Sequence, residues 1–179
     1  MRGASFFLFF LSFLVLIGLS SGSGAAEAPD CRARLRPLLL TALPAADDLR
    51  QVRALCTAEA AAGSAEANYQ LALFSLGLAG NWQPEAAIPL IRSAADRGVS
   101  EAQYWLAWQS EAGPALPHDP GIARDWYEKA AAGNHRLALQ RLADAWDKGE
   151  LGLPVDPRRA LELRARIRQC AEKGSGTRN

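Results

Sequence analysis

The stretch DWYEKAAAGN, residues 125–134, decides how the sequence is interpreted. It places an aromatic pair ahead of three alanines and ends on Gly-Asn, which is typical of a helix end. A related sequence recurs as RSAADRG at residues 92–98, and less faithfully as RQCAEKG at residues 168–174. Small side chains allow packed helices to approach toward the lower end of the usual ~8–10 Å between axes. The stretch therefore predicts short helices that pack closely just before they end.

These stretches belong to a longer internal repeat. Its period is 35 to 37 residues, and Ala67, Ala102 and Ala138 occupy equivalent positions in it. Further equivalent pairs are Leu71-Ala72, Leu106-Ala107 and Leu142-Ala143, followed by Gln83-Pro84, Asp119-Pro120 and Asp156-Pro157. Self-similarity at a fixed period of this length indicates a repeat architecture. The predicted units are 64–99, 100–134 and 135–174.

Each unit predicts two helices. The first helix begins after a polar residue that can cap it, which is Ser64 in the first unit and Ser100, in a capping box with Gln103, in the second. The second helix begins at an Asp-Pro pair or its equivalent, where proline at the first helical position loses no hydrogen bond. Left-handed glycines are expected to end the pairs at Gly63, Gly98, Gly133 and Gly174.

The hairpins must stack, because one helical hairpin cannot bury its own apolar face. The alanine pairs Ala94-Ala95 and Ala130-Ala131 are expected at the close contacts, with Leu90 and Trp126 filling the wider space one turn earlier. Alanine is also the best helix former, which supports a short helix. The sequence therefore predicts an all-α stack of helix pairs.

These residues resemble the Sel1-like repeats, a family related to the tetratricopeptide repeats. The resemblance rests on the A-x-x-x-L-[A/G] start, the D-x-x-x-A spacing, the W-Y pair at 126–127 and the ending KAAAG at 129–133. Long glycine-containing loops at 111–120 and 147–157 favour Sel1-like over tetratricopeptide repeats. The resemblance covers about 64–174.

The resemblance implies an all-α, right-handed solenoid of antiparallel helix pairs, with about three repeats. Residues 27–63 are interpreted as an N-terminal helical hairpin or cap, and 175–179 as a disordered tail. Pro89 departs from the pattern and should kink its helix. The third unit lacks the alanine pair in register, and we interpret it as a capping unit.

The first residues form a targeting segment. Arg2 precedes fourteen almost unbroken apolar residues, Phe6 to Leu19, and a segment of small residues follows. This order is typical of a secretory signal peptide, and the apolar run is shorter than the ~20 residues of a membrane-spanning helix. We expect a signal peptide at 1–26, cleaved after Ala26; the alternative is a retained anchor. Cleavage predicts a periplasmic or secreted protein without stable membrane insertion.

Export would place the three cysteines in an oxidising compartment. Two predicted helices, at about 30–42 and 47–62, are joined by a short link and should run antiparallel, so that Cys31 lies near Cys56. We predict a disulfide between them, worth roughly 3 kcal/mol in the chain-entropy model. Cys170 lies on the apolar stripe of the last helix, and we predict a buried small residue there instead of a reactive thiol.

The charge balance argues against two kinds of partner. The chain has 20 Lys+Arg and 19 Asp+Glu, and the two numbers become equal once Arg2, the only charged residue in 1–26, is removed. Without excess positive charge, a protein lacks the electrostatic footprint for nucleic acid or an anionic membrane. We interpret a basic C-terminal cluster as the solvated face of the last helix; the alternative is a docking patch for an acidic partner. The cluster is Arg158, Arg159, Arg164, Arg166 and Arg168.

Side chains that could carry catalysis are sparse. The two histidines, His118 and His135, have no second His or Cys at ligand spacing, and we interpret both as surface residues. The glycine-rich segment 77–80 lacks the preceding strand and the lysine of a phosphate-binding loop. We therefore predict no catalytic residues, no metal, no cofactor and a protein that is not an enzyme.

A binding surface is better supported than a reactive centre. Repeat stacks present an extended concave face, lined by the first helix of each unit. Aromatic anchors beside acidic groups on that face suit a protein or peptide partner. The alternative is that Tyr104 and Trp108 pack against a neighbouring helix or a terminal cap. The predicted face consists of Tyr69, Leu73, Glu101, Tyr104, Trp108, Gln140 and Asp144, and the same stripes continue to Glu111 and Asp147.

The hypothesis that follows is an exported, non-enzymatic adaptor or scaffold in the cell envelope. Its class rests on the residues, and its role rests on the resemblance alone. One alternative is a secreted effector that binds a host protein. The other is an envelope hydrolase, which requires an acid/base constellation that the sequence does not display.

Overall fold

The described part of the chain consists of helices. The structure is a computed structural model, and it describes residues 30–78, 80 and 82–175. Within that part there are eight helices, and one isolated β-bridge joins Leu76 and Trp82. The predicted signal peptide and the tail beyond Ser175 lie outside the described residues. The helices are α1 (Cys31–Leu39), α2 (Ala46–Ala61), α3 (Ala65–Ser75), α4 (Pro84–Asp96), α5 (Ser100–Ala112), α6 (Pro120–Ala132), α7 (Arg136–Lys148) and α8 (Pro157–Ser175).

The helices form consecutive hairpins that stack on one another. The hairpins are α1–α2, α3–α4, α5–α6 and α7–α8, and contacts of α2 with α3, α4 with α5 and α6 with α7 join each hairpin to the next. Helix α1 also reaches α3. The predicted all-α fold of stacked helix pairs is therefore confirmed, with the N-terminal hairpin packed against the first repeat.

Alanines occupy the helix crossings, as predicted. Ala94 and Ala130 are fully buried, and Ala95 and Ala131 are 1% and 3% exposed. Trp126 is half-buried and packs against the core clusters on both sides of it. The small and large residues therefore share one apolar spine, which runs through the stack between neighbouring hairpins.

Most of the predicted helix caps are present, and one is wrong. The side chain of Ser64 accepts a hydrogen bond from the Ala67 amide at 3.1 Å, and Asp119 caps α6 through two amides at 2.9 Å. Ser100 does not cap α5, because the helix begins one residue earlier than predicted and Val99 takes the capping position. The capping-box partner Gln103 is buried, and its side-chain Nε2 instead donates a hydrogen bond to the Ala95 carbonyl at 2.9 Å.

The glycine prediction holds at two positions and fails at two. Gly63 and Gly98 have φ of 96° and 92°, in the left-handed region. At the next unit, Gly133 has φ of −74° and Asn134 takes the left-handed conformation, with φ of 61°. A Cβ at position 133 would lie 3.0 Å from the Ser100 Cβ, a tight contact that glycine avoids. Gly174 does not end a helix, since α8 continues to Ser175, which we had predicted to begin the tail.

The cysteines follow the prediction in part. Cys31 and Cys56 form a disulfide, with 4.9 Å between their Cα atoms, and both are fully buried. The pair joins the start of α1 to the later part of α2, as expected for an antiparallel hairpin. Cys170 is a free thiol but is only half-buried, because no further hairpin in the described part covers the outer side of α8.

Candidate protein-binding face

The first helices of the hairpins meet at a cavity of about 400 Å³. Its walls come from α1, α3 and α5, which are the first helices of three successive hairpins. The cavity contains three of the predicted face residues, Tyr69, Leu73 and Glu101. Its full lining is Arg32, Arg36, Leu39, Tyr69, Gln70, Leu73 and Glu101. We call this lining the groove.

Helix α1 contributes a wall of the groove that the repeat pattern did not predict. Arg32 lies 3.4 Å from a Glu66 carboxylate oxygen and 2.8 Å from a Glu101 carboxylate oxygen, so that one guanidinium links α1, α3 and α5. The Arg32–Glu101 contact spans 69 residues of sequence. Because α1 lies outside the repeat, no periodicity could place it beside α5.

Two titratable side chains of the groove, Tyr69 and Glu101, each keep one protonation state at neutral pH. Burial, together with the carboxylates of Glu101 and Glu66, raises the pKa of Tyr69 to about 12, so this phenol stays neutral. Burial alone would raise the pKa of Glu101, but its own backbone amide, the Ser100 hydroxyl and Arg32 lower it overall. Glu101 is therefore a carboxylate at neutral pH, and it shares the Arg32 guanidinium with Glu66.

Tyr104 lies deeper than the prediction required. Its ring stacks on that of His135, with 4.5 Å between centroids, and tilts against Tyr127 at 5.8 Å. This placement agrees with the alternative in which Tyr104 packs against neighbouring helices. His135 is half-buried and caps α7, where its Nδ1 accepts from the Ala138 amide at 3.4 Å, so describing it as a surface residue was wrong.

Trp108 lies on α5, about two turns after Glu101, and its side chain remains accessible. Its side chain is 44% exposed, although tryptophan is highly buried on average. Its neighbours Ala107 and Gln109 are fully buried, so α5 turns the indole away from the spine. Trp108 is therefore the aromatic side chain of the predicted face that a partner could reach most directly.

Glu111 belongs to the interior of the stack instead of the binding stripe. Its carboxylate accepts from the Tyr127 hydroxyl at 2.8 Å and from Arg141 Nε at 2.8 Å, and Arg141 also reaches Glu150 at 2.8 Å. Burial alone would raise the pKa of Glu111, but the hydrogen bonds from Arg141 and Tyr127 lower it overall. This network ties α5, α6 and α7 together and engages both oxygens of the Glu111 carboxylate.

The C-terminal end of the predicted face is engaged by the last helix. Arg164 of α8 lies 3.1 Å from Asp144 and 2.6 Å from Asp147, while Gln140 donates to Asp144 at 3.0 Å. Arg166 donates to the Ala131 carbonyl at 2.8 Å. These two arginines are therefore half-buried structural contacts, whereas Arg158, Arg159 and Arg168 form the exposed face that was predicted.

The described residues offer little for other kinds of site. Among them, no group of three or more His, Cys, Asp or Glu side chains is placed to hold a metal ion. His118 is exposed, and its Nδ1 lies 2.5 Å from the Glu111 carbonyl oxygen. None of the helices found in residues 30–175 combines the length and the apolar character needed to cross a membrane.

Comparison with known families agrees with the repeat pattern. The model of the Sel1 repeat family matches residues 65–99, 100–135 and 136–163. These three matches together cover more than half of the chain, and they begin at the first helix of each unit.

Among the solved structures that are similar to this fold are two repeat proteins. The crystal structure of a Sel1 repeat protein from Oxalobacter formigenes is 25% identical, covers 79% of this chain and has a TM-score of 0.66. A protective antigen present in uropathogenic Escherichia coli strains, displaying an SLR fold, is also 25% identical, covers 65% of this chain and has a TM-score of 0.58. The matched regions span 59% and 25% of those two chains.

Proposed function

Because the chain belongs to the Sel1 repeat family, we propose that it is an exported, non-enzymatic adaptor that binds a protein segment through the groove and the adjoining Trp108. Sel1 repeat proteins generally mediate protein–protein interactions. The partner is a protein or peptide, and the site is one face of the helix stack. No nucleic acid and no stable membrane insertion enter this proposal.

One observation carries the proposal. Tyr69 and Leu73 of α3 line a cavity of about 400 Å³ on the side of the stack formed by the first helices. The exposed indole of Trp108 lies on α5, the first helix of the next hairpin. Large aromatic and apolar side chains supply most of the energy of an interface when a partner encloses them. A segment lying across α3 and α5 could contact all three side chains.

Two further features support an extracytoplasmic location. The disulfide between Cys31 and Cys56 is typical of proteins that fold in an oxidising compartment. The sequence before the first described residue carries the features of a signal peptide. Together they favour the periplasm or the medium as the place of binding.

Site-specific photocrosslinking in intact cells tests the proposal. A photoreactive amino acid at Trp108 should capture a protein that mass spectrometry identifies, and the purified protein should then bind the wild-type chain. The matched control is a photoreactive residue at Trp82, which is 54% exposed but lies in the loop between α3 and α4.

The purified pair then permits a quantitative measurement. We expect Trp108→Ala to weaken binding by about tenfold or more, which corresponds to ~1.4 kcal/mol, and Trp82→Ala to leave it unchanged. Equal weakening by both variants, or capture only from position 82, would count against the groove as the binding face.

A further inference from the structure

Three leucines stand exposed at the tip of the N-terminal hairpin. Leu39, Leu40 and Leu43 are 47%, 84% and 91% exposed, at the end of α1 and in the link to α2. The segment PLLLTALPAA, residues 37–46, contains no charged residue. Large apolar side chains grouped on the surface of a soluble protein mark an interaction site.

A cavity lies directly beside these leucines. It has a volume of about 350 Å³ and lies between α2 and α3, and Pro44, the neighbour of Leu43, forms part of its wall. Phe74, which is 4% exposed, belongs to its lining. The apolar lining is Pro44, Ala46, Leu49, Phe74 and Leu78. A projecting leucine and a cavity with an apolar lining therefore occur side by side, and we call them together the tip patch.

Charges of both signs border the tip patch. The cavity lining includes Arg50 and Arg53 and no carboxylate. Arg50 is paired with Asp47, whereas Arg53 and Asp48 form no ion pair within the described residues. Both of these unpaired side chains are exposed. An occupant that fits would thus bring an apolar side chain to the cavity, with a carboxylate following it.

The chain itself supplies that combination, since Leu43 is followed by Asp47 and Asp48. We propose that the tip patch is an interface between two copies of this chain. Leu40 and Leu43 of each copy enter the cavity of the other, and the unpaired Asp48 and Arg53 pair across the contact. An interface in which the same patch serves both copies is isologous, the commonest arrangement among homo-oligomers.

A lipid surface fits the same residues less well. A bilayer has no side chain to fill the cavity beside Phe74, and it would place Asp47 and Asp48 among the headgroups next to the leucines. The link between α1 and α2 would also have to bury unpaired backbone groups in hydrocarbon, which is costly. A protein surface with its own knob and cavity meets neither difficulty.

Sedimentation velocity of the full mature chain, over a series from about 1 to about 100 µM, tests the proposal. We expect a monomer–dimer equilibrium in the wild type and a dissociation constant raised at least about tenfold in Leu43→Asp. The matched control is Leu161→Asp on α8, a leucine that is 61% exposed and remote from the tip patch. Circular dichroism of each variant shows that it is folded.

A charge-swap experiment tests the pairing itself. Asp48→Arg and Arg53→Asp should each weaken self-association, because each brings like charges together across the two-fold axis. Mixing the two variants should restore a dimer, since every pair across the contact then joins opposite charges. A purely structural role of either residue would not produce this recovery.

Several results would overturn the inference. They are a monomer at every concentration, a dimer weakened equally by Leu43→Asp and Leu161→Asp, or no recovery when the charge-swap variants are mixed. Binding of the monomer to vesicles of anionic phospholipid through Leu43 would assign the tip patch to a lipid surface instead. These experiments change no residue of the groove and do not change Trp108. Their outcome therefore tests self-association independently of the proposed function.

Discussion

Replacing Glu111 with alanine separates a structural role from a binding role. The carboxylate of Glu111 is the acceptor for the Tyr127 hydroxyl and for Arg141, and its side chain is only 19% exposed. A buried donor left without a partner costs about 1–3 kcal/mol, and a hydrogen bond to a charged group contributes about 1.5–3 kcal/mol. Arg141 keeps Glu150 at 2.8 Å, which limits the loss. We therefore expect Glu111→Ala to lower the free energy of unfolding by about 2–3 kcal/mol.

Thermal unfolding followed by circular dichroism measures this loss. For a chain of this size, about 2–3 kcal/mol corresponds to a decrease in Tm of about 5–10 °C. The control is Glu128→Ala, a carboxylate that is 56% exposed and lies 3.9 Å from Arg124. Because exposed ion pairs contribute about 0–1 kcal/mol, the control should shift Tm by no more than a few degrees.

A double-mutant cycle identifies the partner. Tyr127 is 1% exposed, and Tyr127→Phe removes only the hydroxyl that donates to Glu111. If the two side chains stabilise each other, the double variant should be less destabilised than the sum of the single variants, by about 0.5 kcal/mol or more. Strict additivity would show that the contact contributes nothing.

The pH dependence follows from the lowered pKa of Glu111 in the folded protein. A carboxylate with a lowered pKa binds fewer protons when folded, so its contribution is complete above the unfolded value of about 4.3 and is lost as pH falls through the lower folded value. Glu111→Gln should therefore flatten the acid limb of the stability curve below about pH 4.5. The reasoning is refuted if Glu111→Ala leaves Tm unchanged but weakens binding of the partner, because that result would return Glu111 to the binding face.

Three further perturbations have defined outcomes. Ala130→Leu should overpack a fully buried crossing and cost about 1–3 kcal/mol in urea unfolding, whereas the exposed Ala132→Leu should cost little; equal midpoints would contradict close packing. Burial lowers the pKa of His135, so stability should decrease as pH falls below about 6.5, and His135→Asn, which keeps a capping side chain, should remove that slope between pH ~7 and ~5. The Cys31→Ser, Cys56→Ser double variant should lose roughly 3 kcal/mol under oxidising conditions, and dithiothreitol should destabilise the wild type but not this variant.

The sequence predicts those parts of the fold that depend on local pattern. Ala130 and Ala131 signal a close helix crossing because small residues precede a helix end, and both are buried. Asp119 signals a cap because a short acceptor stands before proline, and it makes both amide contacts. Cys31 and Cys56 pair because a short link makes two helices antiparallel. The cap and the disulfide each lie within one helix or one hairpin, and the alanine pair is read from the residues that precede one helix end.

The misplaced residues depend on contacts between residues far apart in the sequence, which a local pattern does not encode. Glu111 resembles a surface carboxylate at the end of α5, but Arg141, 30 residues later, folds back onto it. Gly133 resembles an ordinary left-handed glycine, but its φ is −74°, and a Cβ there would crowd Ser100 at the start of the same hairpin. Arg32 lies outside the repeat altogether, so its bridge to Glu101 could not be read from the period.

Hydrogen–deuterium exchange of the chain, alone and with the partner captured at Trp108, tests the central claim most directly. The account predicts that binding slows exchange in α1, α3 and α5, at residues 31–39, 65–75 and 100–112, and leaves α4 and α6, at 84–96 and 120–132, unchanged. This pattern is expected if the first helix of each hairpin forms the binding face and the second helix lies behind it. Slowed exchange confined to α4 and α6, with α3 and α5 unaffected, would contradict it.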